Sequence, residues 1–140
     1  MTGMRGAVCT GLAITLLAGC AGPPAQPCAP GHGRPVLVFE LFFGEAIPQR
    51  GDLTDREWLR FLDDTIAVNL PDGFTVFDAA GGWMDPVTRR TTREATKVLL
   101  TALPDAPASF EAIGRIRGAY QVRFRQQLVG MTVEHACGSF

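Results

Sequence analysis

The sequence predicts one α+β domain with the element order β-α-β-β-α-β. Three observations predict it: a β-rich hairpin between Phe74 and Leu103, and one strand pattern and one helix pattern on each side of that hairpin. An isolated hairpin is only marginally stable in water, so the flanking elements are needed to bury its apolar side. With 140 residues, 46% of them hydrophobic, the chain is large enough for a single core.

The first strand is predicted from Val36 to Gly44, and both of its faces are apolar. One face carries Leu37, Phe39, Leu41 and Phe43, and the other carries Val36, Val38, Glu40 and Phe42. A sheet with one face in water normally alternates between apolar and polar residues. We therefore expect that a further layer covers the face that contains Glu40.

The first helix begins at a capping box formed by Thr54 and Glu57. Leu53 and Trp58 have the spacing of the hydrophobic staple that accompanies such a box. The predicted buried stripe consists of Trp58, Leu59, Leu62 and Ile66. Pro71-Asp72-Gly73 then ends the helix and turns the chain.

The two strands of the hairpin are predicted from Phe74 to Phe77 and from Lys97 to Thr101, where β-branched and aliphatic residues are frequent. Gly81-Gly82 is interpreted as a bulge, and Asp85-Pro86 as the start of the turn.

A second helix presents one apolar face, formed by Phe110, Ile113, Ile116, Tyr120 and Phe124, and a last strand is predicted from Met131 to Cys137. This order is that of the ferredoxin-like fold, an antiparallel four-stranded sheet with two helices on one face and the last strand beside the first. The expected helix–sheet core consists of Trp58, Leu62, Ile113, Tyr120 and Phe124.

The N-terminal residues 1–19 are predicted to be a lipoprotein signal peptide. After Arg5 comes an uncharged apolar run of about 13 residues, which is too short to span a bilayer. The run ends in Leu17-Ala18-Gly19-Cys20, which resembles a lipobox, so Cys20 is the expected acylated (palmitate-bearing) N-terminus. The alternative is an ordinary signal peptide in which Cys20 is incidental. Residues 20–35 are rich in proline and glycine and are predicted to form a tether.

The motifs ELFFG, PDGFTVFDAAGGWMDP, KVLL and CGSF, together with the lipobox, resemble domain-of-unknown-function family 3574, a family of exported bacterial lipoproteins. The resemblance covers about residues 36–140, the predicted single domain. It implies the cell envelope as location. The residue after Cys20 is Ala21 and not Asp. In this it resembles lipoproteins that Gram-negative hosts sort to the periplasmic face of the outer membrane. The family has no established chemistry to transfer.

No catalytic motif is recognisable, and no cofactor or metal is expected. The serines lack the G-x-S-x-G context, and Gly81-Gly82 lacks that of a phosphate-binding loop. The best candidates for a pocket are Glu40, Trp83 and Lys97, because a carboxylate in an apolar site can act as a general base. Two functional classes follow: a non-catalytic binding or structural envelope domain, and a small-molecule-binding protein or enzyme with a pocket near Glu40.

The remaining cysteines, Cys28 and Cys137, are expected to form a disulfide. An exported compartment is oxidising, and the ferredoxin-like order brings the end of the last strand near the start of the first. The alternative is a zinc site that combines both cysteines with His32 and His135, although the spacing is not that of a standard finger.

The expected partners are the membrane, through the lipid anchor, and a second copy of the domain, through the sheet face that contains Glu40. Exposed apolar side chains along a central strand usually mark an interface. The alternatives are that the loop 45–52 or the tether folds over this face. A formal net charge of −1 does not indicate nucleic acid as a partner.

Overall fold

The computed structural model describes residues 28–140. The predicted signal peptide, Cys20 and most of the predicted tether lie outside this range. The elements are β1 (Arg34–Gly44), β2 (Ala46–Ile47), β3 (Gly51–Asp52), α1 (Asp55–Phe61), a π-helical turn (Leu62–Ile66), α2 (Ala67–Asn69), β4 (Thr75–Met84), β5 (Thr91–Pro104), α3 (Pro107–Phe124) and β6 (Gly130–Gly138). None of the helices between residues 28 and 140 has the length and the apolar run that crossing a bilayer requires.

The main sheet has four antiparallel strands in the order β4-β5-β1-β6. The predictions of an α+β fold, of a four-stranded antiparallel sheet and of two helical segments are confirmed. The chain also forms a two-stranded hairpin, β2–β3, between β1 and α1, which the predicted element order lacks. β1 is a central strand, because it pairs with β5 on one side and with β6 on the other.

Both helical segments pack against the same face of the sheet. Phe43 of β1 contacts Trp58 of α1 and Tyr120 of α3, and Phe39 of β1 contacts Phe110 of α3. The predicted core residues Trp58, Ile113, Tyr120 and Phe124 are buried, and Leu62 packs partly buried against them. The Tyr120 hydroxyl donates a hydrogen bond of 2.9 Å to the Gly44 carbonyl, which ties α3 to the end of β1.

The first helical segment begins as predicted, with the capping box of Thr54 and Glu57 in place. The predicted buried stripe is wrong at Leu59, which is 58% exposed, whereas Phe61 is fully buried. The physical reason is the direction of the helix: positions 58 and 61 face the sheet, and position 59 points away. The π turn after Phe61 then shifts the angular phase of the residues that follow it.

The hairpin is longer than predicted, and the predicted bulge at Gly81-Gly82 is absent. β4 and β5 keep one register from Thr75 opposite Leu100 to Met84 opposite Thr91. Glycine is needed at position 81 for another reason, because a Cβ there would stand 2.9 Å from the Thr96 hydroxyl oxygen. The turn itself is held by Asp85, whose carboxylate accepts hydrogen bonds from the two backbone amides at positions 87 and 88.

The predicted disulfide between Cys28 and Cys137 is confirmed, with an S–S distance of 2.08 Å. Since the bridge uses both sulfurs, neither cysteine can serve as a thiolate ligand, and the alternative zinc set is wrong. His135 instead lies with Nδ1 3.3 Å from the Asp105 carboxylate. The bridge anchors the segment before β1 to β6, where Pro35 is the β1 partner of Cys137.

Candidate functional site on the open sheet face

The face of the main sheet opposite the helices is named here the open face. It carries every second residue of the strands: Val36, Val38, Glu40 and Phe42 of β1, Val98, Leu100 and Ala102 of β5, and Thr75, Phe77 and Trp83 of β4. Phe42, Phe77 and Trp83 are 36%, 50% and 49% exposed. Large exposed side chains grouped on one surface mark an interaction site.

The loop 45–52 does not cover the open face, so that alternative is wrong. Ile47 is buried in the core between sheet and helices, and the Leu53 amide donates a 2.8 Å hydrogen bond to the Glu45 carbonyl. Burial of Ile47 and Leu53 therefore holds the loop on the helix side. Covering by a second copy remains a prediction, and most of the tether is outside the described residues.

Two phenylalanines with a valine between them lie side by side near the middle of the open face. These three residues are named here the aromatic row. Phe77 of β4 is opposite Val98 of β5, which is opposite Phe42 of β1. On the other side of Phe42 is Gly130 of β6, where a Cβ would stand only 3.2 Å from the Phe42 Cβ. Glycine at position 130 therefore gives the Phe42 side chain the room that it occupies.

A groove of about 640 Å³ lies on the same face, toward the start of β1 and the end of β5. Its lining includes Arg34, Val36, Val38, Leu100, Ala102 and Phe140. Its floor is mainly aliphatic, and Arg34 supplies a cation at its end. The open face thus has a raised aromatic row and, farther along the strands, a depression of a size typical of small-molecule sites.

Charged residues of opposite sign occupy the two ends of β1 on the open face. Arg34 is the first residue of β1, and Gly44 is the last. The Glu94 carboxylate lies over Gly44, with Oε1 3.0 Å from the position that a Gly44 Cβ would take. Among residues 28–140, neither Arg34 nor Glu94 takes part in an ion pair.

The predicted pocket of Glu40, Trp83 and Lys97 is not one site. Glu40 and Trp83 both lie on the open face, but Lys97 follows the opposite alternation of β5 and faces the helix side. Its partner on β1 is Phe43, a core residue. Glu40 is exposed and accepts a hydrogen bond of 3.1 Å from the Thr132 hydroxyl. Glu40 and Lys97 therefore lie on opposite faces of the sheet and do not pair.

Lys97 belongs to a separate ionic cluster at the edge of the core, where its side chain is 11% exposed. Its ammonium group donates to the Asp78 carboxylate and lies 3.8 Å from the Glu45 carboxylate. The hydrogen bond to Asp78 raises the pKa of Lys97. Burial raises the pKa of Glu45, against the opposing effect of the Lys97 charge. A lysine held protonated in this way serves as a counter-ion, and it is not a nucleophile or a base at neutral pH.

Sequence reasoning missed the groove and the Arg34–Glu94 arrangement. The period-two patterns of β1 and β5 are visible in the sequence, but the register that aligns them is set by the turn and by packing. Phe77 lies in a predicted strand, but the register decides which face of the sheet its side chain occupies. Glu94 precedes the predicted start of β5, so no signal placed it on the sheet.

Two solved structures of a phage SAM lyase have a similar fold. The structure in complex with S-methyl-5'-thioadenosine is 12% identical to this chain, with a TM-score of 0.54. The match covers 71% of this chain and 80% of the lyase chain. The structure in the apo state is 14% identical, with a TM-score of 0.53. That match covers 79% of this chain and 87% of the lyase chain. At these identities the likeness concerns the fold alone.

No curated protein sequence matches the chain. The family described as "Protein of unknown function (DUF3574)" matches residues 39–140, which is most of the domain and includes most of the open face, the ionic cluster and Cys137. The resemblance stated from the sequence motifs is therefore confirmed, and the chain belongs to the DUF3574 family.

Proposed function

We propose that this protein is an exported, lipid-anchored binding protein without catalytic function, built on a ferredoxin-like fold and acting through its open face. The fold assignment is supported by the position of β6 beside β1 and of β5 on its other side, with β2–β3 as an insertion before α1. The single observation that carries the proposed function is the group of exposed aromatic side chains on the face that the helices leave uncovered.

The absence of a catalytic role is supported by the way in which the buried ionisable groups are used. Lys97 is paired with Asp78 and Glu45 on the helix side. The Tyr120 hydroxyl is engaged with a strand carbonyl, and burial raises its pKa. On the open face Glu40 is exposed and hydrogen-bonded. A general base generally needs a perturbed, accessible group next to a substrate site, and these groups serve the fold instead.

The location is the cell envelope, with Cys20 acylated and the domain held from the membrane by residues 20–35. Export is supported by the disulfide, because such bonds persist in oxidising compartments. Two or more acyl chains anchor a protein firmly where one chain is marginal. Detergent phase partitioning tests the anchor: the protein should enter the detergent phase, and Cys20→Ala should leave it. A Cys20→Ala variant that still partitions with detergent contradicts the anchor.

Photo-crosslinking in cells tests the binding role of the open face. Benzoylphenylalanine in place of Phe77 should give a crosslinked adduct, because the side chain at this position projects outward from the open face, toward a bound partner. The matched control is the same substitution at Val122, which is 84% exposed on α3. Adducts from position 77 alone support the proposal. No adduct at position 77, or equal adducts at both positions, contradicts it.

A second candidate function is the binding of a small molecule in the groove, for which its volume of about 640 Å³ is the favouring observation. The similar fold of a SAM lyase suggests S-methyl-5'-thioadenosine as a first probe. Calorimetric titration of the domain should then show saturable heat that is lost in Ala102→Trp, a variant that fills the groove. Heat that is absent, or unchanged in this variant, argues against the candidate.

A further inference from the structure

We propose that the occupant of the open face is a second copy of this chain, related by a twofold axis that runs across the strands above the middle of β1. This inference rests on the proposed binding role of the open face and names its partner. Its consequence is an isologous interface, in which both copies contribute the same residues and each contact occurs twice. Size, shape and charge each support this arrangement.

The size of the open face is close to what a stable dimer requires. β1 and β5 pair over nine residues, from Val36 to Gly44. Four strands spaced by about 4.8 Å, with about 3.4 Å per residue along each strand, give roughly 600 Å² before the relief of the side chains is counted. A standard interface takes about 800 Å² of accessible surface from each partner. The flat area of the sheet is therefore about three quarters of that value, and the relief of the side chains adds to it.

The shape of the face is complementary to itself under this axis. Arg34 and Gly44 are equidistant from residue 39, so an axis above that position exchanges the two ends of β1. Val36, in the groove, then comes opposite Phe42 of the aromatic row. Because Val98 and Phe77 lie in the same row as Phe42, the whole row comes over the groove of the other copy. The raised row of each copy thus fills the depression of the other.

The charges follow the same symmetry. The axis brings Arg34 of one copy over Gly44 of the other, where the Glu94 carboxylate lies. Neither residue has an ion-pair partner within the described part of one chain. The dimer therefore forms two reciprocal Arg34–Glu94 pairs, one at each end of β1. Complementary charges of this kind fix the register of an interface more than they add to its affinity.

Glu40 supplies a repulsive contact in the same arrangement. It lies one residue from the axis, so each Glu40 comes opposite Val38 of the other copy, and the two Glu40 residues lie about 7 Å apart along the strands near the centre of the dimer. Like charges in an interface weaken it, so Glu40→Gln should strengthen self-association. Glu111 is exposed on α3, on the other side of the sheet. Glu111→Gln is therefore the matched control and should have little effect.

Charge reversal in the full chain tests the register of the dimer. Each variant carries benzoylphenylalanine at position 77, and the yield of the adduct with twice the monomer mass is measured in cells. Arg34→Glu alone and Glu94→Arg alone should each lower the yield at least about tenfold, because both pairs become repulsive. The double variant Arg34→Glu/Glu94→Arg should restore the yield to within about twofold of the starting protein. Formation of the Cys28–Cys137 disulfide in each variant verifies folding.

The outcomes separate this inference from the proposed function. An adduct with a mass other than twice the monomer overturns the second copy as the partner, while the binding role of the open face stands. Singles without effect, or singles that the double variant fails to rescue, overturn the twofold axis proposed here. The absence of any adduct from position 77 overturns the proposed function together with the inference.

Discussion

Removal of the Cys28–Cys137 disulfide should lower the stability of the domain by several kcal/mol. The two cysteines are 109 residues apart, and closing a loop of that length removes enough unfolded-chain entropy to contribute about 4.8 kcal/mol at 25 °C. The double variant Cys28→Ser/Cys137→Ser therefore loses up to this amount. With a urea m-value of about 2 kcal/mol per molar, the unfolding midpoint should fall by about 2 M.

Urea unfolding followed by far-UV circular dichroism measures this shift. The reference protein is Cys20→Ser, which retains the bridge and removes the expected site of acylation. Adding reductant to the reference should lower its midpoint to that of the bridge-free variant. A midpoint that moves by less than about 0.5 M, equivalent to about 1 kcal/mol at that m-value, would refute the reasoning that the bridge stabilises the domain by closing this long loop.

Substitutions at three further positions test the interior and the helix cap. Tyr120→Phe should cost about 1–2 kcal/mol of unfolding free energy, because a buried strand carbonyl loses its donor. An unchanged urea midpoint would argue against that bond. Lys97→Met should cost about 2 kcal/mol at pH 7, because it leaves a carboxylate without its cation. Burial raises the pKa of Glu45 above 4.5, so its protonation favours the folded state. Stability therefore falls as pH rises through the folded pKa, and more steeply in Lys97→Met, whereas Lys97→Arg should follow the parent. The Arg50 hydrogen bonds lower the pKa of Glu57 to about 2, so the stability from this pairing is present above pH 4.5 and is lost as pH falls through about 2. Arg50→Ala should raise that pKa toward 4.5 in a carboxyl ¹³C NMR titration, and an unchanged titration would exclude the pairing.

Much of the fold was predictable, because local signals and burial patterns agree. The capping box at Thr54 and Glu57 marks the start of α1 to the residue. The stripe of α3 identifies Ile113, Tyr120 and Phe124 as core residues, and all three are buried. These are short-range patterns, in which helix geometry alone decides which side chains share a face.

The parts that were not predictable depend on long-range pairing. Gly81 suggests a bulge in isolation, but its true constraint is the Thr96 hydroxyl on the neighbouring strand. The sequence places Lys97 and Glu40 in one candidate pocket, although their side chains lie on opposite faces of the sheet. A shift of one residue in register, however, sends a side chain to the opposite face. The disulfide was predictable because it required only the approximate proximity of two strand ends.

Intermolecular nuclear Overhauser effects test whether two copies of the chain pack open face to open face. In one chain Phe42 and Val36 are six residues apart on β1, which separates them by about 20 Å, far beyond the range of the effect. In an equal mixture of isotope-labelled and unlabelled protein, the twofold dimer should give isotope-filtered contacts between the Phe42 ring and the Val36 methyl groups of the other copy. A spectrum at tens of micromolar or above in which no filtered contact links Phe42 to Val36 would contradict it.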